Sequence, residues 1–147
     1  MDWIPRELNR AADRLARWGG EMKEERWWVH GRVKIYAERD LVALSDAGIS
    51  ETGSWGAGWL VADRATAQLV AAGSHGGGGR AGADINAREA LALRRAMEVV
   101  LAIREGRGHL LARDVVAAES GGGGGRQLTA RQRQQVSTLL RETLASV

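Results

Sequence analysis

Three acids occupy positions where a simple solvated carboxylate is not expected. Asp46 ends the apolar run Leu41–Ser45, and Asp114 ends the run His109–Arg113. If those runs are neighbouring parallel strands, both carboxylates emerge at one sheet edge, where open α/β sheets hold their sites. Glu89 falls, on a helical wheel, within the apolar face of Leu93, Ala96, Met97, Val100 and Ile103, opposite Glu98. A carboxylate aimed into packed side chains is costly unless it is paired or bound to a cation. Each acid also has a plain reading, since Asp is common in turns and a helix start favours an anion. Taken together, clustered carboxylates in a chain with no Cys and three dispersed His suit a hard cation such as Mg²⁺. Two such ions about 4 Å apart are the usual device for in-line phosphodiester displacement.

The elements that must position these acids follow from periodicity. A helix is predicted over Asn9–Trp18, with Asn9 as N-cap and Leu8, Ala11, Ala12, Leu15 and Trp18 along one side. Gly19-Gly20 reads as its stop. Glu21–Gly31, charged and carrying Trp27-Trp28, reads as a linker that anchors its aromatics on the domain. Leu41–Ser45, Trp55–Ala62 and Gln68–Gly73 read as three strands joined by short turns, an antiparallel meander. A loop begins at Gly76–Gly79, a long helix spans Ile85–Ile103, and His109–Arg113 is a fourth short strand. Glycines 121 to 125 precede a last helix with Val136, Leu139, Leu140, Leu144 and Val147 on one side. The order predicts an α/β fold around one mixed sheet. The chain reads as a single domain, 1–147, divided into a helix (1–18), a linker (19–40) and a core (41–147).

Composition bounds the function. There are 147 residues with no Phe, one Tyr and six Trp, so the core is built from Ala, Leu, Val, Ile and Trp. All basic residues but Lys23 and Lys34 are Arg, and the net charge of +3 favours a polyanion partner without requiring one. The absence of Cys excludes disulfides and thiolate metal sites. No apolar signal core opens the chain, and no run approaches the ~20 residues of a membrane span. An intracellular protein, neither secreted nor membrane-bound, is expected. The glycine runs lack the Lys of a phosphate-binding loop, and Trp55 and Trp59 read as packing. Arg126, Arg131 and Arg133 make the last helix basic on one side, which reads first as a solvated face.

The stretch LVALSDAGISETGSWGAGWLV resembles the first hairpin of ribonuclease H domains, with an acid followed by a glycine-rich second strand. DINAREALALRRAMEVV is similar to that family's N-x-x-E helix, in the form found in retroelements and their reverse transcriptases. HLLARDVVAA followed by glycines resembles the strand with the third acid, although Val115 stands where Ser or Asn is usual. WIPRELNRAADRLAR, residues 3 to 17, resembles the family's closing strand and helix, but at the wrong end of the chain. Two explanations fit: a circular permutation, or a remnant of a preceding copy or partner chain.

The resemblance implies a ribonuclease H-like mixed sheet, a three-strand meander plus a parallel strand, flanked by helices in permuted order. It implies catalytic, metal-holding carboxylates at Asp46, Glu89, Asp114 and Asp13, with two Mg²⁺ ions that Mn²⁺ can replace. The substrate implied is the RNA strand of an RNA–DNA hybrid, met by Asn86, Arg80, Arg88 and Asn9, in a monomer or a swapped dimer. An inactive nucleic-acid-binding or assembly domain, or a truncated reading frame, remains the alternative.

Overall fold

In residues 41–49, 55–63 and 68–77 small and branched apolar residues alternate faces, and these segments form the three-strand antiparallel meander. A computed structural model describes residues 9–49, 53–78, 85–106 and 126–145 of the chain. Its elements are α1 (Arg10–Met22), β1 (Arg26–Val29), a 3₁₀ turn (Val33–Tyr36), β2 (Leu41–Ile49), β3 (Trp55–Asp63), β4 (Gln68–Gly77), α2 (Ile85–Arg104), β5 (Arg126–Gln127) and α3 (Ala130–Ala145). The sheet order is β2-β3-β4-β1-β5.

Side chains directly opposite in an antiparallel pair share a face. Leu44 lies opposite Leu60, and both join Val42, Ala72, Leu128, Val136 and Leu140 beneath Ala11, Ala12 and Leu15 of α1. On the other face Trp59, Val61, Val70 and Ala71 pack against Ala96, Val99, Ala102 and Ile103 of α2, with Val33 and Tyr36 of the 3₁₀ turn. The result is three layers: α1 and α3, then the sheet, then α2.

The α/β architecture is therefore present, with differences in detail. The four longer strands pair antiparallel with one another, and the one parallel pairing among the described residues is the two-residue contact of β1 with β5. This departs from the mixed sheet expected, whose parallel strand, His109–Arg113, lies outside the described residues. The segment read as a linker supplies β1, because Arg-Trp-Trp-Val is strand-prone and pairs with Ala71–Ser74 of β4.

Gly19-Gly20 does not stop α1, which runs on to Met22 and ends at Lys23 in the left-handed conformation. Gly19 instead serves contact. A Cβ on Gly19 would overlap the backbone of His75, and one on Gly58 would overlap Ala12, Leu15 and Ala16. Backbone meets backbone here, and the Ser74 hydroxyl donates across the same interface to the Leu15 carbonyl. At the other end of the core, α3 opens with a reciprocal cap: Gln132 N donates to Thr129 Oγ1, and Thr129 N donates to Gln132 Oε1.

Candidate functional site

Asp46 does not end its strand, since β2 continues to Ile49. It lies half-buried in the strand, opposite Gly58, on the face that carries α1. The missing side chain at Gly58 lets α1 settle close to the strand beside Asp46.

Asn9 fixes the approach of α1. It stands at the N-cap position, but its side chain does not cap the helix. Its Nδ2 donates instead to the Ser45 carbonyl at 2.9 Å, pinning the helix start beside Asp46. Its Oδ1 is buried with no hydrogen-bond partner among the described residues, which is uncommon because buried acceptors are nearly always satisfied.

Asp13 follows one turn later. Its side chain is 55% exposed and meets Arg17 at 3.5 Å. It lines a cleft of about 730 Å³ with Arg17, Glu21, Lys23, Gly48, Ile49 and Ser54, among others. Asp13 and Asp46 are therefore held on the same face of the sheet, near its β2 edge.

Glu89 is placed differently from the sequence expectation. It is exposed, whereas the buried face of α2 is made by Ala92, Ala96, Val99, Ala102 and Ile103. The packed face is turned by roughly a quarter turn from the most apolar one, since each residue advances about 100°. The reason is steric: alanines let α2 approach the sheet closely, while Met97 and Leu101 stay 40% and 56% exposed. Arg88 and Arg95 face β3 and β4, so Glu89, one step round from Arg88, lies on the flank of α2 nearer β2. Asn86 is exposed in the first turn of α2, and Arg88 is half-buried. Asp114 and Arg80 lie outside the described residues. Among the described residues no three acids or histidines are grouped closely enough to hold a metal ion.

The structure also assembles a cluster that sequence reasoning missed. The Arg88 guanidinium lies 3.9 Å over the Trp55 ring. Trp55 meets His75 edge-on at 5.2 Å between ring centres. Arg95 Nη1 lies 3.1 Å from His75 Nδ1 and 4.0 Å from Glu25. Burial above all, then the charges of Arg95 and Arg88, push the His75 imidazole down to about 3. It is thus neutral at physiological pH and can accept from Arg95. Burial also raises the Glu25 carboxyl, with Arg95 opposing. The available signal was spacing: Arg88, Ala92, Arg95 and Val99 recur at helical intervals.

No protein-family model, curated protein or solved structure matches the chain.

Proposed function

We propose that the protein is a ribonuclease H-type endonuclease that hydrolyses the RNA strand of an RNA–DNA hybrid. One observation carries the reading. Asn9 ties α1 to the strand carbonyl beside Asp46, which holds Asp13 and Asp46 on the same face near one edge of the sheet. Glu89 lies across the sheet from them, exposed on the flank of α2 nearer β2. In this reading Asp114, which lies outside the described residues, completes the set.

The donor set suits the implied cations. The oxygens are hard carboxylates, and Asn9, tied to the strand carbonyl next to Asp46, carries a buried Oδ1 with no partner among the described residues. Asp46, Asp13, Glu89 and Asp114 would hold two Mg²⁺ ions. When bound, these supply an activated water and stabilise the leaving 3′ oxygen. Asn9 orients the start of α1, and therefore Asp13. Asn86, three residues before Glu89 on α2, would meet a 2′-hydroxyl, the group by which a site distinguishes RNA from DNA. Arg88 and Arg80 are assigned to substrate phosphates.

An end-labelled hybrid incubated with Mg²⁺ or Mn²⁺ tests the proposal. Cleavage of the RNA strand alone is expected, with Asp46→Asn lowering the rate by at least ~100-fold, as even outer partners of metal ligands do. No cleavage, or cleavage that survives Asp46→Asn, overturns it. The exposure of Glu89 and the lack of a three-acid group among the described residues favour a second reading, an inactive domain that binds nucleic acid. That reading expects hybrid to be bound and left intact.

A further inference from the structure

We infer that the groove between α1 and α3 is a nucleic-acid backbone site, separate from the carboxylates. Its volume is about 410 Å³, and the described residues lining it are Arg14, Arg131, Gln134, Gln135, Thr138 and Leu139. None of these is acidic. Neither Arg14 nor Arg131 has an ion pair among the described residues, unlike Arg10, which meets Glu142 at 3.7 Å, or Arg17, which meets Asp13. Arg133, their neighbour, is already committed: it donates to the Leu128 carbonyl at 2.8 Å and lies 5.2 Å from the Trp28 ring.

Two guanidiniums in one groove, with no carboxylate partner among the described residues, repel each other unless an anion joins them. Guanidinium forks match the oxygens of a phosphodiester. The Gln amides and the Thr hydroxyl offer hydrogen bonds to phosphate and sugar that do not depend on sequence. A protein partner would need buried apolar anchors, and among the described residues the groove offers Leu139 alone. Arg14 is the next residue after Asp13, so α1 is a ridge with this groove on one flank and the Asp13 cleft on the other. A strand crossing that ridge spans about 10 Å, one helix diameter, from groove to cleft. Identifying the bound backbone as that of the nuclease substrate rests on the proposed function; the groove itself does not.

The test is equilibrium binding of a fluorescein-labelled RNA–DNA hybrid in EDTA, where no cleavage can occur, across a series of salt concentrations. Single-stranded RNA, duplex DNA and poly-glutamate are run beside it. The Arg14→Ala/Arg131→Ala protein is expected to bind hybrid about tenfold more weakly. The slope of log affinity against log salt should fall by about 1.8, at ~0.9 per lost phosphate contact. Arg14→Lys/Arg131→Lys should restore most of the slope, and thermal melts confirm that each variant folds. Unchanged affinity and slope in the Ala variant overturn the inference. Poly-glutamate bound as tightly as the oligonucleotides, with the same loss in the variant, overturns the assignment to nucleic acid. Groove-dependent binding without any cleavage in Mg²⁺ supports the groove and sinks the nuclease reading. Cleavage with an indifferent groove does the reverse.

Discussion

His75 shows how strongly position can alter a side chain without a change of sequence context. Enclosed by Trp55, Arg88 and Arg95, the imidazole cannot take a proton until the pH nears 3, whereas in an unfolded chain it does so near 6.5. Between those values the unfolded state binds a proton that the folded state refuses, so stability falls as pH falls through that window. Above pH 6.5 the residue is neutral in both states and contributes no slope. His75→Gln keeps an acceptor for Arg95 and removes the titration. Urea unfolding from pH 7 to pH 4 is therefore expected to show a shallower loss of stability in the variant, by close to one proton. Parallel curves for the two proteins would show that His75 titrates normally. Asn9 makes a related point at the candidate site. Its identity suggested an ordinary helix cap, and its partner is the backbone of Ser45, 36 residues away.

The helix that carries Asn9 and Asp13 packs through glycine, and this yields a pair of opposed substitutions. Gly19→Ala gains about 1 kcal/mol of helix propensity but drives a methyl group into the His75 backbone, which cannot move without parting β4 from its neighbours. Overpacking of this kind costs typically 1–3 kcal/mol, and α1 is expected to lift, so net destabilisation should appear in denaturant melts. Gly48→Ala, in β2 with nothing within 4 Å of the added Cβ, is expected to change stability little. Equal effects at the two sites would remove the argument for close packing. The same contrast explains what could be read from the sequence. The meander, α1, α2 and α3 were legible, because periodic apolar residues mark each of them over several turns or pleats. The glycines were misread because a helix-stop signal is local, whereas backbone-to-backbone contact depends on a strand some 56 residues further on. The four residues of β1 were missed because they are few and follow a charged stretch. The face of α2 was misjudged because a wheel weighs hydrophobicity, while the sheet selects for small size. Asp46 was legible as an unusual acid in an apolar run, but its shared face with Asp13 was not.

How the N-terminal segment belongs to the domain is a question about the complete chain. Motif order alone left two explanations, a permuted domain or a remnant of another copy. In the structure α1 is seated on the same sheet that its own chain builds, with Ala11, Ala12 and Leu15 fully buried. It roofs Leu44, Leu60 and Ala72 and is braced from the side by α3 through Arg10 and Glu142. Removing it would uncover one whole face of β3, and a sheet with a bare apolar face seeks another surface. Leu15→Ala is accordingly expected to cost about 2–5 kcal/mol, the range for a buried leucine whose surroundings collapse only partly. Deleting residues 1 to 22 should abolish cooperative unfolding altogether, giving a broad transition and dye binding to exposed apolar surface. A synthetic peptide of residues 1 to 25 added in trans should restore the sharp transition, since whatever binds only the folded state stabilises it by mass action. A deletion that unfolds as sharply as the full chain, at the same midpoint, would show that α1 is dispensable and that the segment is a passenger. In that event Asp13 would lose its place in the site, and the proposed set of acids would reduce to Asp46, Glu89 and Asp114.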